Sequence, residues 1–316
     1  MFRIAFRVMR ALQFSEYGSA DVLHVAEVPE PHAGPGRIRI AVRASGVTPA
    51  DWKVRSGAFQ QMIPLPLPHT PGIDAAGVVD EVGEGVTGVA VGDEVFGMAD
   101  LAAMGGANAD HVVLALWAPK PSTLTWEQAG GAAGNTETSV RTLALLGVRA
   151  GDVLLIDGAA GGVGSMAVQF AVAAGATVVG TAGPANHEFL TGLGAIPVAY
   201  GPGLADRVSA LVPKVDAVLD CAGSGSLPEL VKLAGGPERV VTIADLSAAE
   251  PEVLRSRTGG PGAGPQAVAE FKASVELFEQ GRVTVPVAAV FPLSEAADAH
   301  RLSETGHLRG KIVLTP

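Results

Sequence analysis

The chain of 316 residues carries 22 Lys and Arg against 32 Asp and Glu, a formal net charge of −10, with 48% hydrophobic residues and one cysteine. The acidic balance argues against an electrostatic grip on nucleic acid or anionic lipid, which requires a surplus of basic side chains. One cysteine excludes an intrachain disulfide and a cysteine-rich zinc site, so we expect a reducing, cytoplasmic setting, and the length predicts about two domains.

The first third of the chain is predicted to be β-rich. Residues 1–8 include Arg3 and Arg7 but neither an unbroken apolar run nor a small-residue cleavage site, so we expect no signal peptide. Apolar or alternating runs at 37–44 and 75–82 are separated by turns rich in glycine and proline, which predicts a barrel-like domain. The acid pairs at 80–81 and 93–94 are expected to mark turns and not catalytic sites.

From about Gly151 the pattern changes to strands that alternate with helices, which predicts a parallel sheet built from βαβ units. The predicted strands are 153–157, 176–181, 196–199, 216–220 and 239–243, and the predicted helices are 163–174, 187–193, 205–211 and 226–233. An amphipathic helix is expected at 266–280, followed by strands at 285–291 and 311–314.

A stretch without Asp, Glu, Lys or Arg runs from Gly158 to His187, but its seven glycines argue for a buried strand, helix and strand and against a membrane span. Near its start lies the pattern Ala159-x-Gly161-x-x-Gly164, between a predicted strand and a predicted helix. Small residues let the backbone turn tightly toward a pyrophosphate, which the free N–H groups of the helix start then bind.

This fingerprint predicts dinucleotide binding, with Ala160, Gly161, Gly162 and Val163 as candidate contacts. The alternative is a tight turn between two packed elements.

The end of the second predicted strand indicates which cofactor is bound. An NAD site usually has an acidic residue about 20 positions beyond the fingerprint, for the ribose 2′-OH, and none is present here. The missing carboxylate leaves room for a 2′-phosphate, with Gly183, Asn186, His187 and Tyr200 as candidate contacts. The sequence therefore favours NADPH, although the loop contains no Arg or Lys. His187 could equally be a solvated residue at a helix start.

Several motifs, in order and at their spacing, resemble one family over residues 9–316. They are ASGVTPADWK (44–53), PGIDAAGVV (71–79), VGEGV (82–86), VGDEVFG (91–97), the fingerprint, and HLRGKIVL (307–314). The chain resembles the medium-chain dehydrogenase/reductase superfamily, in its zinc-independent quinone oxidoreductase (zeta-crystallin-like) branch.

The resemblance implies an α/β fold with a GroES-like β-rich domain and a Rossmann domain with a doubly wound parallel sheet. We expect the GroES-like domain at 1–131 and 275–316 and the NADP-binding Rossmann domain at 132–274, with the nicotinamide between them and a homodimer as the assembly. Zinc-dependent members have a Cys and a His-Glu pair where this chain has Thr48 and Ile73-Asp74. The resemblance therefore implies no catalytic zinc, which favours reduction of a conjugated acceptor over alcohol oxidation.

Residue roles follow from the same resemblance. Thr48 replaces an Asn near the nicotinamide and substrate, and Lys53 lies in a segment that lines the cleft, where it would stabilise an enolate or simply be solvated. Thr138 matches a cofactor-contacting threonine, although the preceding Asn-Thr-Glu departs from the usual apolar sequence, and its alternative role is a helix cap. Tyr200 matches a tyrosine at the 2′-phosphate, and Lys311 lies at the cofactor cleft or caps the last strand.

These observations predict an NADPH-dependent, metal-free reductase of quinones or of α,β-unsaturated carbonyl (enone or enoyl) compounds, with protonation from solvent. The alternative is an NADPH-binding protein with little turnover, such as a redox sensor, a structural protein or an RNA binder, of which the acidic charge disfavours the last.

Overall fold

A computed structural model of the chain describes residues 7–62, 64–245, 250, 252–259, 263–306 and 308–316. Most of the N-terminal segment 1–8, and His307 of the last motif, lie outside the described residues. The described residues divide into two compact units. The first unit takes those up to Gly134, Gly259, and those from Val285 onward, and the second takes those between Asn135 and Thr258 and between 263 and Thr284.

Strands are present in both units. In chain order the described strands are β1 (Val8–Gln13), β2 (His24–Pro29), β3 (Ile38–Val47), β4 (Asp74–Val82), β5 (Glu94–Ala99), β6 (His111–Pro119), β7 (Val153–Asp157), β8 (Thr177–Thr181), β9 (Ile196–Val198), β10 (Ala217–Asp220), β11 (Val240–Thr242), β12 (Leu254–Arg255), β13 (Val287–Pro292) and β14 (Lys311–Thr315).

The described α-helices are α1 (Pro49–Arg55), α2 (Trp126–Gly130), α3 (Ala133–Leu146), α4 (Gly162–Ala173), α5 (His187–Gly192), α6 (Leu204–Leu211), α7 (Leu227–Ala234), α8 (Val268–Glu279) and α9 (Ala296–Glu304). All five helices predicted from the sequence, including the amphipathic one at 266–280, are confirmed to within about two residues at each end.

The first unit contains a six-stranded sheet in the order β13-β14-β3-β4-β5-β6. Strand β6 also pairs antiparallel with β3, from Ile38 opposite Leu114 to Ala41 opposite His111, and this second pairing closes the sheet on itself. Apolar side chains of β3 to β6, among them Ile40 and Val79, fill the interior. The predicted barrel-like domain is therefore confirmed: closure covers the β6 edge, and β13 remains at the other end of the sheet.

The expectation that both acid pairs mark turns is wrong for residues 80–81. Asp80 and Glu81 lie near the end of β4, which runs to Val82. The Arg39 guanidinium on β3 donates to both carboxylate oxygens of Asp80, from Nε at 3.0 Å and from Nη2 at 3.1 Å. The acids stand where β3 and β4 pair, so cross-strand charge pairing explains them.

The second unit contains a parallel sheet in the order β12-β11-β10-β7-β8-β9. Alternate residues of β7 face opposite sides: Leu154 and Ile156 pack in one apolar cluster with α4 and α5, and Val153 and Leu155 in another with α6 and α7. The sheet is covered by helices on both faces, which confirms the predicted doubly wound α/β class. Its carboxyl edge, where ligands of such sheets bind, carries the fingerprint turn.

Candidate active site

The fingerprint turn joins β7 to α4. Gly158 adopts φ +77°, a left-handed conformation that glycine adopts without strain. A Cβ at Gly164 would lie 2.4 Å from the Gly158 carbonyl oxygen, so this position requires glycine for the helix to pack against the turn. The first N–H groups of α4 have no acceptor within the helix, and together with the helix dipole such groups attract anions.

A polar side chain adjoins this turn. Asn135, on the first turn of α3, is 6% exposed, and its buried Nδ2 has no hydrogen-bond partner among the described residues. A Cβ at Gly162 would lie 2.9 Å from that Nδ2, so the amide lies directly against the start of α4. An unused donor beside a helix N-terminus fits the phosphate oxygens of a dinucleotide. The sequence prediction did not include Asn135, although its polar character at a usually apolar position was the signal that could have identified it.

The candidate 2′-phosphate residues follow β8 and β9. Gly183 and Tyr200 lie together: a Cβ at Gly183 would be 3.9 Å from both Cε1 and Oη of the tyrosine, whose side chain is 64% exposed. His187 begins α5, and its Nε2 lies 3.2 Å from the Ala182 carbonyl oxygen. Asn186 is half-buried and its N–H donates to the Gly183 carbonyl. No carboxylate occurs from Gly158 to His187 to repel a phosphate.

Acidic and hydroxyl side chains line the carboxyl ends of four neighbouring strands, β11, β10, β7 and β8. Asp157 on β7 is opposite Asp220 on β10, and Thr242 on β11 donates to Asp220 at 2.7 Å. Thr181 on β8 and Ser226 both donate to Asp157. Burial raises the pKa of Asp220, and the neighbouring Asp157 raises it further. The hydroxyls satisfy the carboxylates, which holds the strand ends around the fingerprint in a fixed arrangement.

Thr138 lies in the second turn of α3 and does not cap it. Its Oγ1 is 3.1 Å from Thr258 Oγ1. The Arg141 guanidinium on the same helix forms a buried ion pair with Glu137 at 2.8 Å and donates to Thr258 at 2.9 Å. The Glu137 carboxylate also accepts from the Ala267 N–H at 3.2 Å. This network fixes Thr138 relative to the segments at 258 and 267.

In the first unit, Thr48 precedes α1 and is held by Asp51. One Asp51 oxygen accepts from the Thr48 N–H at 2.6 Å and from its hydroxyl at 2.7 Å, and the other accepts from the Gly72 N–H at 3.0 Å. Burial raises the pKa of Asp51, while the hydrogen bonds from Thr48 oppose the rise. The Thr48 hydroxyl has one proton, and it is directed to this carboxylate.

Lys53 is half-buried on the same helix. Its Nζ lies 5.7 Å from the centroid of the Trp52 ring and 6.0 Å from that of Phe59. The ammonium therefore stands against two aromatic side chains, an arrangement in which cation–π attraction restrains it.

Lys311 makes a buried ion pair, with Nζ 3.0 Å from Asp74 Oδ2. The Gly134 N–H donates to the other Asp74 oxygen at 2.6 Å. Burial raises the pKa of Asp74 and the charge of Lys311 opposes this.

The predicted site residues form two groups: Thr48, Lys53 and Lys311 belong to the first unit, and those from Thr138 to Tyr200 belong to the second.

Cys221 follows β10, and burial, with Asp220 and Asp157 nearby, raises the pKa of its thiol well above the usual value. Within the described residues, no group of three or more His, Cys, Asp or Glu side chains is arranged to hold a metal ion. None of the described helices is long and apolar enough to cross a membrane.

Two known protein families match the chain, one in its N-terminal part and one in its C-terminal part. Residues 34–134 match the family described as "Alcohol dehydrogenase GroES-like domain", and residues 193–314 match the family described as "Zinc-binding dehydrogenase". The GroES-like prediction for the N-terminal β-rich domain is confirmed.

Curated relatives match over nearly the whole chain. The chloroplast envelope quinone oxidoreductase homolog of Arabidopsis thaliana is 31% identical over 336 residues, covering 99% of this chain and 100% of its own length. The chloroplastic NADPH-dependent alkenal/one oxidoreductase of the same plant is 32% identical over 321 residues, covering 98% of this chain and 80% of its own length.

Solved structures share the fold. The quinone oxidoreductase from Coxiella burnetii has a TM-score of 0.85 at 29% identity, covering 98% of this chain and 100% of its own. An NAD-dependent alcohol dehydrogenase has a TM-score of 0.82 at 31% identity, and a mycobacterial protein complexed with NADPH has a TM-score of 0.81 at 26% identity, each covering 98% of this chain and 100% of its own.

A closed β-barrel unit and a doubly wound sheet with a dinucleotide fingerprint define the class of NAD(P)-dependent oxidoreductases. Within that class, the chain belongs to the medium-chain dehydrogenase/reductase superfamily, and quinone oxidoreductases are among its relatives.

Proposed function

We propose that the protein is an NADPH-dependent reductase of quinones or of α,β-unsaturated carbonyl compounds. The observation that carries this proposal is the turn at Gly158–Gly164, with the unused Asn135 donor beside it and no carboxylate between it and Glu188. Relatives named as quinone oxidoreductase and as NADPH-dependent alkenal/one oxidoreductase support the two acceptor classes.

For the pyrophosphate we propose Ala160 to Val163 as the binding segment, through backbone N–H groups, with Asn135 as an added donor. For the 2′-phosphate we propose Gly183, Asn186, His187 and Tyr200. NADPH, when bound, supplies a hydride to an electrophilic carbon or quinone. The protein's own task is then to orient both partners and to stabilise the negative charge that develops on the acceptor oxygen.

The first unit is proposed to supply Thr48 and Lys53 to this task. The Lys53 ammonium is the group that would stabilise the developing oxyanion. The Thr48 hydroxyl proton is directed to Asp51 at 2.7 Å, and Asp51 holds it there with a second bond to the backbone. Thr48 is therefore a poor proton donor to substrate, and we infer that solvent supplies the proton.

We propose that Thr138 and Lys311 act at the cofactor site mainly by holding the neighbouring backbone in place. The Lys311–Asp74 pair holds the Gly134 N–H, at the start of the helix that carries Asn135 and Thr138. Three further proposals concern the domains, the assembly and the location. The family resemblance supports a GroES-like domain at 1–131 and 275–316, a Rossmann domain at 132–274, and a homodimer. The single cysteine supports a cytoplasmic location. Light scattering on the purified protein tests the dimer.

The deciding experiment follows NADPH consumption against 1,4-quinones, enones and matched saturated ketones. We expect turnover with the first two and none with the saturated ketones, and a greater kcat/KM with NADPH than with NADH. Tight NADPH binding without turnover on any acceptor would overturn the enzymatic proposal and leave a cofactor-binding sensor. A greater kcat/KM with NADH would overturn only the cofactor preference.

A further inference from the structure

The loop that carries Tyr200 is held by a single arginine on the following helix. The loop joins β9 to α6, and Arg207 lies on the first turn of α6. Its guanidinium donates to three loop carbonyls: to Ala199 from Nε at 3.1 Å and Nη2 at 2.9 Å, to Gly201 from Nη2 at 2.9 Å, and to Pro202 from Nη1 at 2.8 Å. Four bonds from one rigid planar group determine the path of the whole loop.

Apart from Arg207, the loop is closed by one backbone hydrogen bond in the described residues, from the Leu204 N–H to the Gly201 carbonyl at 3.1 Å. Gly201 and Gly203 adopt φ +91° and +79°, which glycine reaches without strain. Glycine also loses more conformational freedom on folding than any other residue, so these two positions do not restrain the loop by themselves. Gly203 is the residue before α6 and brings no side-chain cap. The position of the exposed Tyr200 beside Gly183 therefore depends on Arg207.

Arg207 also supplies a charge. Its hydrogen-bond partners in the described part of the chain are uncharged carbonyl oxygens, so no ion pair cancels its positive charge there. The loop after β8 has no Arg or Lys of its own, as the sequence shows. The Arg207 cation next to the Tyr200 loop attracts a dianionic 2′-phosphate, an attraction that the loop after β8 does not provide.

We propose that Arg207 is the positioning residue for recognition of the 2′-phosphate: it fixes the Tyr200 loop and places a guanidinium charge directly against it. This inference rests on the proposed preference for NADPH. Four of the five N–H donors of Arg207 are used by the loop, so we place its effect on the site that Tyr200 and Gly183 form and not on direct contact with the cofactor.

Calorimetric titration with 2′,5′-ADP and with 5′-AMP tests this, because the two ligands differ only by the 2′-phosphate. We expect Arg207→Gln to weaken 2′,5′-ADP binding about tenfold and to change 5′-AMP binding by less than about twofold. Arg207→Lys keeps the charge but cannot bridge three carbonyls, and we expect a loss of about threefold for 2′,5′-ADP only. Because it is the milder change, it also serves if Arg207→Gln does not fold.

Arg282→Gln is the matched control, since Arg282 donates to one backbone carbonyl of the same unit, that of Ala173 at 2.8 Å. It should leave the ratio of the two dissociation constants unchanged. Equal weakening of both ligands by the Arg207 variants, or no weakening, would overturn the inference. A wild-type protein that binds 2′,5′-ADP no more tightly than 5′-AMP would instead overturn the NADPH preference itself, and is recognised without any variant.

Discussion

The Lys311 ammonium lies 3.0 Å from the Asp74 carboxylate, with both side chains buried in the barrel unit. Removing one partner of such a pair leaves the other as an uncompensated buried charge. We expect Lys311→Met to lower the free energy of unfolding by about 3–5 kcal/mol in urea titrations at pH 7.

Two variants test this explanation. Lys214→Met, which removes a pair of similar length whose lysine is 66% exposed, should cost less than about 1 kcal/mol. The double variant Lys311→Met with Asp74→Asn removes both charges and should recover much of the loss. An equally large loss in the double variant would mean that packing of the lysine stem, and not charge, is what matters.

His300 should make stability fall in acid. Burial, with the Arg55 charge second, lowers its pKa from 6.5 to about 4, and in the described part of the chain neither buried ring nitrogen has a hydrogen-bond partner. Between these two values the unfolded chain binds a proton that the folded chain does not. Above pH 6.5 the neutral ring makes its full contribution to the free energy of unfolding. As the pH falls from 6.5 toward 4, that free energy decreases, by about 3 kcal/mol in total.

The measurement is the free energy of unfolding from pH 7.5 to pH 4 in wild type and in His300→Gln. The variant should show a smaller slope across this window. His24→Gln, at an exposed histidine, should leave the slope unchanged. A slope in His300→Gln equal to that of wild type would refute the assignment.

Gly164→Ala should disrupt the fingerprint turn. The new Cβ would lie 2.4 Å from the Gly158 carbonyl oxygen and 2.8 Å from Ala159 Cα, so backbone must move. We expect a lower melting temperature and at least about tenfold weaker NADPH binding, followed by nicotinamide fluorescence. Gly192→Ala is the control and should retain both properties, since at this end of α5 no atom of the described residues lies within 4 Å of a Cβ.

Lys53→Gln tests the proposed oxyanion stabilisation. With the ammonium gone, kcat/KM for an enone or quinone should fall about tenfold. The dissociation constant for NADPH should stay within about twofold, which separates a substrate role from a cofactor role. Lys53→Arg keeps the charge and should retain most of the activity; if it loses as much as Lys53→Gln, charge is not the property that matters.

The sequence predicted the second unit better than the first. Strand β7 was predicted to the residue because it is buried on both faces and flanked by turn residues. Helix α3 was not predicted, since its first turns are polar. Glu137 is fully buried there, and its ion pair with Arg141 compensates the buried charge, which no local sequence pattern reveals. Strand β6 was also missed as a separate element, although its burial alternates, because its pairing with β3 joins residues about 70 positions apart.

The candidate site divides in the same way. The fingerprint and its glycines could be predicted because they are consecutive in the chain and each has a steric reason. Asn135 and Arg207 were not predicted, because their importance depends on contacts with a helix start and with loop carbonyls that form only on folding. Lys311 was predicted at the cofactor cleft, but its buried partner Asp74 could not be inferred from residues 237 positions apart.

The half-buried thiol of Cys221 has a practical consequence. Its raised pKa keeps it protonated at neutral pH, and the thiolate is the form that reacts with alkylating reagents and disulfides. A sensor that works through cysteine oxidation is therefore disfavoured. We expect the native cysteine to label slowly, so that one cysteine introduced at an exposed position such as Leu145 would take up a fluorophore much faster than Cys221 does.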